Sequence, residues 1–131
     1  LGPLALFDVS VTVDKMVGFV EGVEALMQDV PAPINITFGH LGDSNLHLML
    51  GTSKPELFDK DMIEGGVYGL IEEFHGSVSA EHGVGLLKRE HLDCSRSAAE
   101  LELMYGMKRM LDPNNILNPN KIFTAEKVAR A

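Results

Sequence analysis

The sequence is poor in cysteine and in positive charge, and it has no long apolar run. Its single cysteine, Cys94, excludes an internal disulfide and is typical of a reducing compartment such as the cytoplasm. Lys and Arg number 11 against 19 Asp and Glu, and the formal net charge is −8. This charge argues against binding to nucleic acid or to an anionic membrane surface. No apolar stretch reaches about 18 residues, so no transmembrane segment is expected.

The length suits one domain with a core of its own. No internal repeat, low-complexity tract or Pro/Ser-rich linker divides the 131 residues. The chain begins at Leu1 without an initiator methionine, so we expect it to be a piece of a longer protein. Its glycine-containing stretches match phosphate-binding loops poorly, and no dinucleotide-binding fold is expected here.

The spacing of apolar residues predicts a strand, a helix and a hairpin in the first half of the chain. Residues 4–13 alternate between apolar and polar side chains, as in a half-buried strand. A helix is expected over 15–29, because apolar residues recur there at helical spacing and prolines follow. Residues 34–50 contain two apolar runs around the polar turn Gly42-Asp43-Ser44-Asn45, which predicts a hairpin.

A second helix is expected to start near Pro55 and to end at Gly76, with glycines inside it that cost up to about 1 kcal/mol each. Residues 77–80 then predict a short fourth strand. The order β-α-β-β-α-β is that of a ferredoxin-like α+β sandwich, in which helices cover one face of an antiparallel sheet. We assign about 1–94 to this core and 95–131 to a further helix and an extended Asn- and Pro-rich tail.

Two histidines flank the hairpin turn. In the simplest four-residue register, residue 40 pairs with residue 47, so His40 and His47 stand opposite each other with Phe38 and Met49 beside them. Two opposed imidazoles can bind one transition ion, since Zn–N bonds are about 2.0–2.1 Å. Two structural histidines would give the same pattern, and both interpretations remain open on this ground.

Glu81 and His82 offer an adjacent acid and base just past the second helix. If the fourth strand lies beside the hairpin, Glu81 joins His40 and His47, and a metal bound to these three keeps open positions for substrate. A 2-hydroxy acid could chelate there and have its hydroxyl polarised. His82 is the candidate general base, because imidazole titrates nearest to neutral pH. The alternative is that His82 only hydrogen-bonds the glycine turn that follows it.

Three motifs, taken in order, resemble one family. They are Phe-Gly-His-Leu-Gly-Asp-Ser-Asn-Leu-His at 38–47, Ala-Glu-His-Gly-Val-Gly-Leu-Leu-Lys at 80–88 and Asp-Pro-Asn-Asn-Ile-Leu-Asn-Pro-Asn-Lys-Ile-Phe at 112–123. Together they are similar to the C-terminal domain of FAD-linked oxidases, of the vanillyl-alcohol oxidase type superfamily. Within it, they resemble the branch of D-lactate, glycolate and D-2-hydroxyglutarate dehydrogenases.

The resemblance implies an enzyme that oxidises a 2-hydroxy acid to a 2-oxo acid by hydride transfer to FAD. It also implies an FAD-binding domain N-terminal to this chain, so that the chain alone would be inactive. By motif, His40, His47 and Glu81 look like ligands of a divalent metal, with zinc favoured and manganese or iron also fitting. His82 looks like the base that activates the substrate.

Other matched positions are given supporting roles by the resemblance. Lys88 and Asn118 are expected near the active-site wall, Asn118 on the flavin side, although Lys88 is equally interpreted as a solvated lysine. Asn45 is expected to brace the turn or a ligand. Asp43 is expected to orient His40.

Three positions depart from the family pattern. Ser44 replaces a usual glycine, which matters only if the backbone there needs a positive φ. Asn120 replaces another glycine, and asparagine is the least costly substitute in a left-handed turn. Met49 stands where 2-hydroxyglutarate-type members have a polar residue that touches substrate, which favours a smaller or more apolar 2-hydroxy acid.

Two other function classes fit the same residues. One is a self-contained metal hydrolase that uses the His-His-Glu set with water as nucleophile. The other is a non-catalytic ferredoxin-like interaction module whose histidines are structural. A domain separated from a flavin partner would expose an apolar face, so self-association into a homo-oligomer is also expected.

Overall fold

A computed structural model describes residues 2–130 and confirms the predicted α+β, ferredoxin-like architecture. Three strands, β1 (Leu4–Ser10), β2 (Pro33–His40) and β3 (Asn45–Thr52), form one antiparallel sheet in the order β1-β3-β2. Within the described residues, no helix is both long and apolar enough to cross a membrane. The elements are β1 (Leu4–Ser10), α1 (Met16–Gln28), β2 (Pro33–His40), β3 (Asn45–Thr52), α2 (Lys60–Glu73), α3 (Ala98–Leu111) and α4 (Ala125–Arg130).

Helices α1 and α2 cover one face of the sheet, and the period of two in the strands decides which side chains they bury. The other face of the sheet, which we call the open face, carries the intervening residues, including the exposed Leu6 and Phe38. The two faces therefore divide the same strands between the core and a surface. The buried apolar residues of the strands are Ala5, Phe7, Val9, Leu46, Leu48 and Leu50.

The predicted fourth strand is reduced to a single antiparallel bridge. Ser77 pairs with Ser10, its N–H donating to the Ser10 carbonyl at 2.7 Å, so the segment lies beside β1 as the ferredoxin order requires. The Ser77 hydroxyl donates to the Ser79 carbonyl at 2.9 Å. Such local side-chain bonds compete with a regular ladder, which explains why the strand ends after one bridge.

Helix α2 starts later than predicted. Pro55 begins a separate 3-10 turn, and α2 begins at Lys60, where the Asp59 carboxylate accepts the N–H of Met62 at 3.0 Å. At its other end the left-handed position falls on His75, with φ of 55°, and not on Gly76. Glycine is needed at 76 for a different reason, because a Cβ there would lie 2.6 Å from the Ser10 carbonyl oxygen.

The hairpin register differs from the prediction by two residues. Phe38 pairs with His47, and His40 pairs with Asn45, so the connection is 41–44 and residue 40 is not opposite residue 47. The short 3-10 turn inside the connection starts one residue earlier than the polar run suggested. Because side chains alternate with a period of two, a shift of two leaves both histidines on the open face.

The close approach of α1 and α2 explains one of the glycines in α2. A Cβ at Gly66 would lie 2.5 Å from Leu26 Cδ1, whereas a Cβ at Gly65 would meet no atom within 4 Å. We expect Gly65→Ala to raise the free energy of unfolding by up to about 1 kcal/mol through helix propensity. Gly66→Ala should be less stable than Gly65→Ala by about 1 kcal/mol, measured by urea unfolding. Equal stability of the two variants would contradict this packing.

Ser44 has a left-handed backbone with φ of 60°. The glycine that is usual in the family at this position adopts such a backbone without a steric cost. Its backbone bonds to Leu41 and Val11 do not involve the side chain. Ser44→Gly should therefore raise the free energy of unfolding by about 0.5–1 kcal/mol. Ser53→Gly, at a residue without positive φ, is the control and should lower it; chemical denaturation distinguishes the two.

Candidate functional site

The site is built on one cross-strand row of the open face. Asp8 of β1 pairs with His47 of β3, which pairs with Phe38 of β2. The rings of Phe38 and His47 are 5.2 Å apart between centroids. Three adjacent strands thus bring a carboxylate, an imidazole and an aromatic ring together.

Asp8 holds the segment that carries Glu81 and His82 against this row. Its carboxylate accepts the backbone N–H of His82 at 2.9 Å, the backbone N–H of Glu81 at 3.2 Å and the Ser79 hydroxyl at 3.1 Å. The side chain is only 3% exposed. Because the segment lacks a regular ladder, these bonds fix its position on the open face.

Four side chains converge as a result, and we call them the carboxylate–histidine cluster: Asp8, His47, Glu81 and His82. One ligand atom from each lies within 4.8 Å of those of the others. His47 Nε2 is 3.3 Å from Glu81 Oε1, and the His47 and His82 rings stack with centroids 5.4 Å apart. In the part of the chain that the structure describes, no second group of this kind converges.

Asp8 is ionised at neutral pH. Burial acts to raise its pKa, but the backbone N–H groups of His82 and Glu81, the charge of Lys88 and the Ser79 hydroxyl together lower the pKa to about 2. Hydrogen bonds to the charged form of a carboxylate have this effect. The cluster therefore contains a permanent negative charge below its histidines.

Lys88 lies in the wall of the site and is bound to Asp8. Its ammonium group donates to the Asp8 carbonyl at 2.9 Å, to Asp8 Oδ2 at 3.3 Å and to the Ser79 hydroxyl at 3.3 Å. An ammonium group has three donors, and all three are used. The mostly buried Lys88 is thus a partner of Asp8 and not a solvated lysine.

His40 lies beside the cluster but is not one of its four members. Its ring centroid is 5.8 Å from that of His47. Asn45 is buried between His40 and Ser10 in the sheet, and its Oδ1 has no hydrogen-bond partner. Asp43 is exposed in the turn and makes no hydrogen bond or ion pair with His40 among the described contacts. The predicted bracing by Asn45 and orientation by Asp43 stay predictions.

The tail of the chain is fastened to the segment that follows His82. The Ile122 N–H donates to the Gly85 carbonyl at 2.8 Å, and Arg89 donates to the Asn120 carbonyl at 2.8 Å. Asn118 and Asn120 are both left-handed, with φ of 45° and 62°, which fits the asparagine in place of glycine. Asn118 itself makes no contact with the cluster in the described structure, and its flavin-side role stays a prediction.

Asp8 is the site residue that the sequence did not single out. The alternation of β1 had placed it on the polar side of the strand, together with Ser10 and Thr12, and that side is the open face. An acidic residue in the middle of a half-buried strand is uncommon and was the available signal. Its partners are more than seventy residues away, so the local pattern could not identify them.

We expect Asp8→Asn to lower the free energy of unfolding by about 2–4 kcal/mol, because several buried donors lose a charged acceptor. Since the lowered pKa of Asp8 stabilises the fold only while the group is ionised, the difference from wild type should be full above pH about 4. It should shrink as pH falls through about 2. Urea unfolding of both proteins across this pH range, in the presence of a metal chelator, would measure the difference in free energy of unfolding. The exposed Asp29→Asn should change stability by less than about 0.5 kcal/mol; an equal loss in both variants would contradict the role of Asp8.

Comparison with known proteins identifies the family of the chain. The family model described as FAD linked oxidases, C-terminal domain, matches residues 2–122. The D-2-hydroxyglutarate dehydrogenase of Stutzerimonas stutzeri (strain A1501) is 44% identical over 126 residues, which are 90% of this chain and 27% of that protein. The mitochondrial D-2-hydroxyglutarate dehydrogenase of Arabidopsis thaliana is 37% identical over 123 residues, 92% of this chain and 21% of that protein.

The same name belongs to a mitochondrial relative from Danio rerio, 39% identical over 116 residues, covering 88% of this chain and 21% of that protein. The chain thus spans about a quarter of the length of the curated relatives that it matches. The family match extends over most of the chain, including the hairpin, the Glu81-His82 segment and the tail up to residue 122. The chain belongs to the family of FAD-linked oxidase C-terminal domains.

Proposed function

We propose that this chain is the metal- and substrate-binding part of an FAD-dependent 2-hydroxy acid dehydrogenase, which oxidises a 2-hydroxy acid to a 2-oxo acid. The observation that carries the proposal is the approach of His47 Nε2 to Glu81 Oε1 at 3.3 Å, with His82 beside them. Two atoms that bind one ion at about 2.1 Å, with near-tetrahedral or octahedral angles, lie about 3.0–3.4 Å apart. The distance between these two side chains suits a shared metal.

His47 and Glu81 would hold a divalent ion, and His40 on the neighbouring strand is the third proposed ligand. Nitrogen and carboxylate ligands suit zinc, and they also accept manganese or iron. A bound ion of this kind polarises a coordinated hydroxyl oxygen and lowers the pKa of its proton. Glu81 and His40 are exposed, so the ligand atoms face a surface that a substrate can reach.

His82 is the proposed general base. Its side chain is 64% exposed and its Nδ1 is 3.7 Å from Asp8 Oδ2, while its Nε2 is 3.6 Å from Glu81 Oε1. The charge of Asp8 favours a proton on Nδ1, which leaves Nε2 as the acceptor for the proton of the substrate hydroxyl. The bond from the His82 backbone N–H to Asp8 holds the backbone of the proposed base beside the cluster.

FAD would be held mainly by a domain outside this chain, and it would supply the acceptor for the hydride. This chain contributes the face on which the 2-hydroxy acid is bound and deprotonated. We propose that residues 1–131 form that substrate domain, with the sheet and its helices followed by α3 and the tail. The single cysteine favours a reducing compartment, so the cytoplasm remains our proposed location.

Metal binding by the isolated chain tests the proposal. We expect one zinc ion per chain by calorimetric titration, with affinity reduced about 100-fold or more in His47→Ala and in Glu81→Gln, since each removes a ligand. His75→Asn is the control, because it removes an exposed imidazole outside the site and asparagine accepts the left-handed backbone there. Absence of zinc binding by the wild-type chain, or equal affinity in all four proteins, would contradict the proposed metal site.

A further inference from the structure

We infer that the substrate of this chain has an apolar side chain and carries no second carboxylate. The inference rests on the proposed function, because it concerns the space beside the proposed metal site. The relevant feature is a cleft of about 360 Å³ on the open face, a size typical of small-molecule sites. We call it the Leu6–Met49 cleft.

The wall of this cleft that Leu6, Phe38 and Met49 form beside His47 is apolar. Leu6 and Met49 pair directly across β1 and β3, one step along the strands from the pair Asp8 and His47 on the same face. Phe38 faces His47 across the other side of β3. Leu6 is 67% exposed and Phe38 51% exposed, so both present carbon atoms to whatever enters. A substrate held by His47 would place its side chain against this wall.

The charges around the cleft are unfavourable for a second carboxylate. Among the described residues that line it, Lys88 alone carries a permanent positive charge, and its three donors are used by Asp8 and Ser79. Asp8 lines the cleft and Glu81 adjoins Asp8 through His47, so the carboxylates nearest to the cleft are negative and would repel a second carboxylate on the substrate. Burying a carboxylate without a compensating donor is costly. A neutral branched or linear alkyl group would meet no such cost.

This inference differs from what the names of the relatives suggest. D-2-hydroxyglutarate, the compound in those names, carries a second carboxylate at the end of its side chain. At an identity of 44% or less, the residues that line the cleft can differ from those of the relatives while the proposed metal ligands are the same. A pocket built to pair a charged group binds an apolar analogue poorly, because the polar groups of the pocket are then left unpaired. An apolar pocket in turn disfavours a charged substrate, because the charge is buried without a partner.

Two probes of similar size separate the alternatives. D-2-hydroxy-4-methylpentanoate ends in an isobutyl group, whereas D-2-hydroxyglutarate ends in a carboxyethyl group; both share the 2-hydroxy acid head. The experiment titrates each acid into the zinc-loaded chain labelled with ¹³C at the methionine methyl groups. The Met49 methyl signal, assigned with Met49→Leu, reports binding in this cleft independently of catalysis. We expect the dissociation constant of the apolar acid to be lower by about tenfold or more.

A charge introduced into the wall provides the second measurement. Leu6→Lys should reduce the preference for the apolar acid at least about threefold, since the new ammonium group can pair with the distal carboxylate. Leu103→Lys is the matched control: Leu103 is 65% exposed on α3, does not line the cleft, and the substitution adds the same charge. Its preference should equal that of the wild-type chain.

The outcomes separate this inference from the function on which it rests. Equal or tighter binding of D-2-hydroxyglutarate, with shifts lost when zinc is removed, would overturn the inference and leave the proposed function intact. Binding of neither acid to the zinc-loaded chain would overturn both. A preference for the apolar acid that Leu6→Lys and Leu103→Lys change equally would also overturn the inference, because the wall would then not determine it.

Discussion

The ionised Asp8 is the constraint on which the site depends. The segment after α2 has only one bridge to the sheet. Hydrogen bonds from its backbone to the side chain of Asp8 therefore help to hold it beside β1, where a regular strand ladder is missing. The same carboxylate binds Lys88, whose chain position is beyond the glycine turn that follows His82. Two parts of the 79–88 segment are thereby fixed to β1, and the acid and base of the site come to His47 as a consequence. A neutral residue at position 8 would leave this segment with only its bonds to the backbone of β1, which are made by Ser77, Ala80 and Lys88.

The periodicity of apolar residues predicted the fold and the face of the sheet that carries the site, but the strand register of the hairpin was not predicted correctly. The register of the hairpin was wrong by two residues, since the loop length was inferred from polar residues and the observed turn includes Leu41. The prediction that His40 and His47 share a face was still right, because an even shift preserves the side of the sheet. An odd shift would have moved one of them into the core.

Interactions between distant residues limited the rest of the prediction. The early start assigned to α2 was wrong because Pro55 begins a separate 3-10 turn that ends at Leu57, and the helix begins only after the Asp59 cap. The role of Asp8 depends on backbone donors in a segment with little local preference for strand. The family motifs contained Glu81 and His82, and these residues were therefore predicted without any knowledge of what holds them. The metal-binding role of His40 remains a prediction, as its ring lies beside the cluster.

The alternation of side chains in the three strands has a consequence for how such a domain can change. Along β1 and β3 the exposed cleft residues alternate with core residues, and among the described residues that line the cleft only Phe7 and Leu48 also belong to the core. Substitutions on the open face, such as those at positions 6 and 49, leave the packing against α1 and α2 untouched. A lineage can therefore acquire a new substrate preference by surface replacements alone, at little risk to its ability to fold. The folded scaffold and the chemistry it selects are free to diverge at separate rates.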